Sequence, residues 1–353
     1  MRTHGGNVWQ GGAPEDWLDF SANLRPGDPP EWVRSVLNDA ISRAAYYPDP
    51  AMREARASLA EYLGLNEKWV LPTAGGISGI ALAAQLPVAG MMAFAPCFGE
   101  YARTAELRGF LLEFLPLIDG DRRILSPAEV LGDRDINSRA VWLCNPLNPV
   151  GIAFSRSEIE SLLARIEANG GWLVLDEAFI HCCPERSSID LLTEHPRLLI
   201  VGSLTKSLGI PGVRLGYLCA RPDVLKMLAE HQTTWELSCF AEGVLRALPA
   251  HTEELRAEAQ KNAARRVALR GELERLGVYV YPSEANFLLA DFKRKVAPIA
   301  ARLRERGILV RECMDFSGIQ DGQHLRLAVK DEIANARFIE TLEGVLNTDR
   351  FDQ

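Results

Sequence analysis

The stretch SLTKSLGIPGVRLGY, residues 203–217, sets Lys206 in a turn of small residues and places Arg214 at the head of an apolar run. Burying an unpaired charge costs on the order of several kcal/mol. Two cations among glycine and apolar residues therefore predict anionic or covalent partners. A lysine amine kept partly desolvated beside other cations has a lowered pKa and forms a Schiff base with an aldehyde. An arginine offers the planar fork that a phosphate fits. Upstream, LVLDEAF closes an apolar run on Asp176. A carboxylate there wants a cation, either a protonated pyridine nitrogen or a plain salt-bridge or helix-cap partner. NPLNPVG (145–151) follows the run AVWLC and forces turns with two Asn-Pro pairs, so Asn148 either offers its amide to a ring oxygen or belongs to an ordinary loop. The turn TAGGIS (73–78) opens a helix at Gly75 and Gly76, where free backbone N–H groups suit a phosphate, though most such turns are structural. In APCFGEY (95–101), Phe98 is placed to lie flat on a planar cofactor, or simply in the core.

These residues need a scaffold that brings strand ends together. Short apolar runs at 91–95, 140–145, 172–179, 198–204 and 214–220 alternate with helical patterns, which predicts a parallel sheet covered by helices. One helix is well marked between them: Ser155 as N-cap, Glu158 as its capping-box partner, Ile159, Leu162, Leu163 and Ile166 on one face, and a glycine stop. After about residue 240 the pattern changes to a long charged helix (252–276), short strands and a closing helix. The expected division is an N-terminal segment (1–40) packed with a small α+β domain (241–353), and a large domain between them (41–240).

Composition narrows the function. With 47% hydrophobic and 24% charged residues, the 353-residue chain has enough apolar content to bury a large core. The formal net charge is −8 and the basic residues are scattered, which argues against nucleic acid and for a small-molecule partner. Seven cysteines without CxxC spacing fit a reducing cytoplasm better than a zinc site, and the longest apolar stretch, around 80–98, is broken by Gln85, Pro87 and Gly90, so no membrane span is expected.

Taken together, NPLNPVG, LVLDEAF and SLTKSLGIPGVRLGY resemble the signature set of the fold-type I pyridoxal-phosphate enzymes, the aspartate aminotransferase superfamily. The resemblance implies an α/β fold with a large, mainly parallel seven-stranded sheet domain and a smaller α+β domain. It implies that Lys206 carries the cofactor as a Schiff base, that Asp176 pairs with the pyridine nitrogen and that Asn148 reaches the phenolic oxygen. By the same token Ser203, Arg214 and the Gly75–Gly76 turn hold the phosphate, and Phe98 stacks on the ring. Tyr47, in YYPDP, matches a tyrosine lent across a dimer interface, so a homodimer is expected. One departure is Phe179, where many of these aminotransferases have a tyrosine whose hydroxyl helps hold the ring oxygen.

Within the superfamily, HGGN (4–7) and LDFSANLRP (18–26) resemble the start of the threonine-phosphate decarboxylases of cobalamin synthesis, whereas the sister group of histidinol-phosphate aminotransferases has a glutamate that SANLRP lacks. The likeness implies a phosphorylated amino-acid substrate bound by His4, Asn23, Arg311 and Arg326. The plain readings are a packed terminal histidine and outward-facing strand charges. A catalytically silent binding or regulatory relative is the remaining alternative. No helix-turn-helix segment precedes the domain, and Lys206 is present.

Overall fold

The computed structural model describes residues 4–9 and 11–351, with side chains through residue 347. A two-residue strand, β1 (Leu18–Asp19), comes first. The strands of the large sheet follow: β2 (Val70–Thr73), β3 (Gly90–Ala95), β4 (Glu113–Pro116), β5 (Arg139–Cys144), β6 (Trp172–Asp176), β7 (Leu198–Ser203) and β8 (Gly216–Cys219). Their spatial order is β2-β8-β7-β6-β5-β3-β4, with all neighbours parallel except β8, which runs antiparallel to β7 and β2. The central strands are buried along nearly their whole length, which is why they read as unbroken apolar runs. Edge strands gave a weaker signal: β2 contains Pro72, tolerated where no further ladder bond is needed, and β4 is mostly exposed and ends at Pro116.

The helix expected after β5 spans Arg156–Ala168. The Ser155 hydroxyl accepts from the Glu158 amide, and the Glu158 carboxylate accepts from the Ser155 amide at 2.7 Å. Ile159, Leu162, Leu163 and Ile166 are fully buried against the sheet. This reciprocal cap satisfies two donors that a helix start otherwise leaves to water.

A second sheet follows the long helix Thr252–Arg275: β9 (Tyr279–Val280), β10 (Phe287–Asp291), β12 (Arg311–Glu312) and β13 (His324–Ala328), in the order β12-β13-β10-β9 and antiparallel throughout. Between them in sequence, β11 (Ile308–Leu309) pairs with β1 in parallel. Each sheet has its own apolar core. Phe20 stacks on Phe338 at 4.5 Å in the smaller one, while Val33 of the helix Glu31–Ala40 sits in the larger. Residues 18–23 thus join the second sheet and the helix after them joins the first.

One expectation is corrected. Arg214 is neither buried nor part of a strand, because β8 begins at Gly216 and Arg214 is exposed, with a left-handed φ of 63°. The positive φ bends the chain just before the sheet and turns the guanidinium toward Gly75 instead of into the core.

Candidate active site

The ends of β6 and β7, the helix that starts at Gly76, and β12 and β13 of the second sheet surround a cavity of about 290 Å³. His4, Asn23, Gly76, Phe98, Asn148, Asp176, Ser203, Lys206, Arg214, Arg311 and Arg326 all line it. Residues from nine separate parts of the sequence therefore meet where parallel sheets place their sites, beyond the carboxyl ends of the strands. Tyr47 does not reach this cavity. It is 79% exposed and stacks on Trp235 at 4.4 Å on an outer face.

Lys206 follows β7 on the short helix Thr205–Leu208. Burial, with the positive charges of Arg326 and Arg214, brings its amine down to about 8, and Asp176 opposes them. The group is therefore largely protonated at neutral pH yet close to a free nucleophile. Asp176 closes β6 and is 3% exposed. Burial pushes its carboxyl up, while the Tyr101 hydroxyl, the Ala178 amide and Lys206 pull it back down. Tyr101 Oη donates to Oδ2 at 2.5 Å and the Ala178 amide to Oδ1 at 2.9 Å.

Arg326 is buried on β13, and burial brings its guanidinium down to about 10. Its Nη1 donates to Asn148 Oδ1 at 2.7 Å and its Nη2 to the Ser21 carbonyl at 2.9 Å, while its Nε has no partner among the described residues. Because the Asn148 oxygen is taken, its amide nitrogen remains as the group to offer into the cavity. Arg311 is 6% exposed; it grips both oxygens of Asp315 at 2.7 and 2.6 Å and lies 5.1 Å over the Phe316 ring. His4 bonds Glu100 at 3.0 Å and meets Phe98 at a ring separation of 5.7 Å. Asn23 is buried and its side-chain oxygen has no hydrogen-bond partner among the described residues. Phe179 lines the cavity too, held edge-on to Phe287 at 4.9 Å.

The turn at Gly75 and Gly76 is built for close approach. Gly75 has φ 88°, and a Cβ there would lie 2.6 Å from an Arg214 nitrogen. The guanidinium thus packs on bare backbone, beside the first amides of the helix Gly76–Ala83, which have no carbonyl partner within the helix. Gly76, Ser203 and Arg214 line this corner of the cavity together, and the Thr205 hydroxyl beside them donates to the Leu215 carbonyl at 3.2 Å.

The model of "Aminotransferase class I and II" matches residues 15–342. The chain belongs to that family. Among its relatives, the threonine-phosphate decarboxylase of Salmonella typhimurium is 30% identical over 97% of this chain and 96% of its own. The histidinol-phosphate aminotransferase of Clostridium acetobutylicum superposes with a TM-score of 0.85 at 26% identity, over 93% of this chain and 99% of its own. The L-threonine-O-3-phosphate decarboxylase of Porphyromonas gingivalis gives 0.82 at 25% identity over the same shares.

The family's cofactor is pyridoxal phosphate. The residues present fit it: an arginine packed on the bare backbone of a glycine turn at a helix start, a buried carboxylate, a lysine with a lowered pKa, and an asparagine with a spare amide. Three participants carried no signal of their own in the sequence. Tyr101 stands three residues after Phe98, Glu100 just before it, and Asp315 four after Arg311, each in a stretch where only its neighbour drew attention. No group of three or more His, Cys, Asp or Glu side chains able to hold a metal exists among the described residues. Nor is any described helix long and apolar enough to cross a membrane.

Proposed function

We propose that this chain decarboxylates L-threonine O-3-phosphate to (R)-1-amino-2-propanol O-2-phosphate with pyridoxal phosphate, the step that supplies the aminopropanol unit of cobalamin. The observation that carries the reading is the position of the N-terminal segment. His4, Ser21 and Asn23, from the two stretches that resemble the decarboxylases, line the same cavity as Arg311 and Arg326. Two arginines and a histidine facing one space suit a substrate with two anionic groups, a phosphate and a carboxylate. The Salmonella relative's name points the same way.

Bound here, pyridoxal phosphate supplies a ring that accepts the electron pair released when a bond to the substrate α-carbon breaks. The chain's own residues then do the following. Lys206 offers its amine as nucleophile and afterwards as proton donor. Asp176 keeps a positive charge on the ring nitrogen. Asn148 donates to the ring oxygen, Phe98 covers the ring face, and Ser203, Arg214 and the Gly75–Gly76 turn take the cofactor phosphate. Arg311, Arg326, Asn23 and His4 would hold the substrate's two anionic groups, and so decide which bond to its α-carbon is placed to break. A homodimer in which Tyr47 reaches the neighbour's cofactor phosphate belongs to the same reading.

The second reading is a histidinol-phosphate aminotransferase, favoured by the TM-score of 0.85 to such an enzyme. One assay separates them. Purified protein given threonine phosphate should release CO2 and an amine phosphate without 2-oxoglutarate, and the Lys206→Ala variant should not. A reaction that needs 2-oxoglutarate and yields a keto product from histidinol phosphate would establish the aminotransferase instead.

A further inference from the structure

Asp176 is not held by the sheet alone. Its carboxylate ends β6, and one of its oxygens is engaged by the hydroxyl of Tyr101, a residue from the helix Glu100–Leu107 on a different strand connection. Tyr101 is fully buried, tilted against Trp142 at a ring separation of 5.1 Å and edge-on to Phe98 at 6.2 Å. Its hydroxyl has little freedom to point elsewhere. Burial and the neighbouring carboxylate push the phenol's pKa well up, so it stays protonated and is the donor of this bond.

We propose that Tyr101 is a positioning residue that fixes the Asp176 carboxylate and lowers its basicity, so that the proton shared between Asp176 and the cofactor's ring nitrogen rests on the nitrogen. The proposal deepens the reading above and rests on Asp176 facing that nitrogen. A buried carboxylate is a stronger base than one in water, because burial disfavours its anion. Without the Tyr101 hydroxyl, which stands first among the groups that pull Asp176 down, the carboxylate would compete more strongly with the pyridine nitrogen for the proton, and the ring would lose positive charge. A hydrogen bond from a neutral donor to the anion opposes this, since it strengthens as charge builds on the oxygen. The 2.5 Å separation lies at the short end of the range for such bonds. Because Phe98 touches the same tyrosine, the residue placed over the cofactor ring and the one behind the carboxylate are braced together.

The test reads the ring nitrogen directly, by NMR of holoenzyme loaded with cofactor carrying 15N at that position. Tyr101→Phe should move the resonance toward that of the unprotonated ring, corresponding to about a tenfold shift in proton partition for one charge-assisted hydrogen bond lost. Wild-type protein grown with 3-fluorotyrosine, whose phenol is a stronger donor, should move it the opposite way. The same replacement in the Phe variant should do nothing. If Tyr101→Phe fails to fold, the fluorotyrosine shift stands as the test. Asp176→Asn serves as the control for the underlying reading. A resonance that moves in Asp176→Asn but not with either change at Tyr101 overturns the role of Tyr101. One that stays put in Asp176→Asn removes the pairing with the ring nitrogen and the proposal with it.

Discussion

Lys206 pays for its reactivity in stability, and that cost is measurable in protein stripped of cofactor. Its amine is held near 8 by burial and by Arg326 and Arg214, against an ordinary value of 10.5. A lysine with a depressed folded-state pKa binds fewer protons folded than unfolded between those two values, so its contribution to stability rises with pH across that window. Below it, the folded chain carries a penalty of at most about 3 kcal/mol, taking ~1.4 kcal/mol per pKa unit. Lys206→Met removes the charge while keeping an unbranched chain of similar length. In the cofactor-free state the variant should melt up to ~4 °C above wild type at pH 7, given the entropy of unfolding typical of a chain this long. The gap should narrow as pH rises from about 8 to 10.5 and vanish above. Thermal melts of both proteins at half-unit pH steps provide the comparison, since every other titrating group is common to the two. Parallel curves, or a variant less stable at pH 7, would refute the account of a strained amine.

Glu177, next to Asp176 and 2% exposed, gives the mirror case: burial pushes its carboxyl up to about 7, against the bonds from Ser188 and Ser187. An acid whose folded pKa is raised destabilises the chain as pH climbs from about 4.5 to 7, by at most about 3 kcal/mol; Glu177→Gln should flatten that decline in a melt series, and an unchanged slope would count against it. Arg326→Lys cannot keep both the Asn148 and the Ser21 bonds from one planar fork; we expect kcat/KM for threonine phosphate to fall at least about tenfold with the fold intact by circular dichroism. Asp315→Asn withdraws a negative charge that now occupies Arg311. Inorganic phosphate should then bind several-fold more tightly to the holoenzyme by calorimetry, and weaker binding would mean that Asp315 orients the arginine more than it competes for it.

How far the sequence alone carries depends on which force places each residue. The buried centre of the large sheet was legible because β5, β6 and β7 need continuous apolar runs, and the Arg156–Ala168 helix because its capping box and apolar face are local. The edge strands β2 and β4 were not, since an edge tolerates proline and solvent and so loses the pattern. In the site, most residues borne by a recognisable motif line one cavity, Tyr47 and Gly75 being the exceptions. Those set by tertiary packing did not announce themselves: Tyr101 meets Asp176 across 75 positions, and nothing local to EYARTAEL hints at it. Arg214 misled for a related reason. Its apolar neighbours suggested a core position, but a left-handed residue just outside the strand turned it outward.

The tie between Ser21 and Arg326 spans 305 positions, and Phe20 likewise bonds Leu309 and Ala328. During synthesis, residues 18–23 leave the ribosome long before anything they hold onto exists, while the large sheet has already been made. The wall of the cavity that bears Asn23 is therefore finished only when the last quarter of the polypeptide has emerged. Nascent chains arrested short of β11 should leave this early segment open to protease even though the parallel sheet behind it resists.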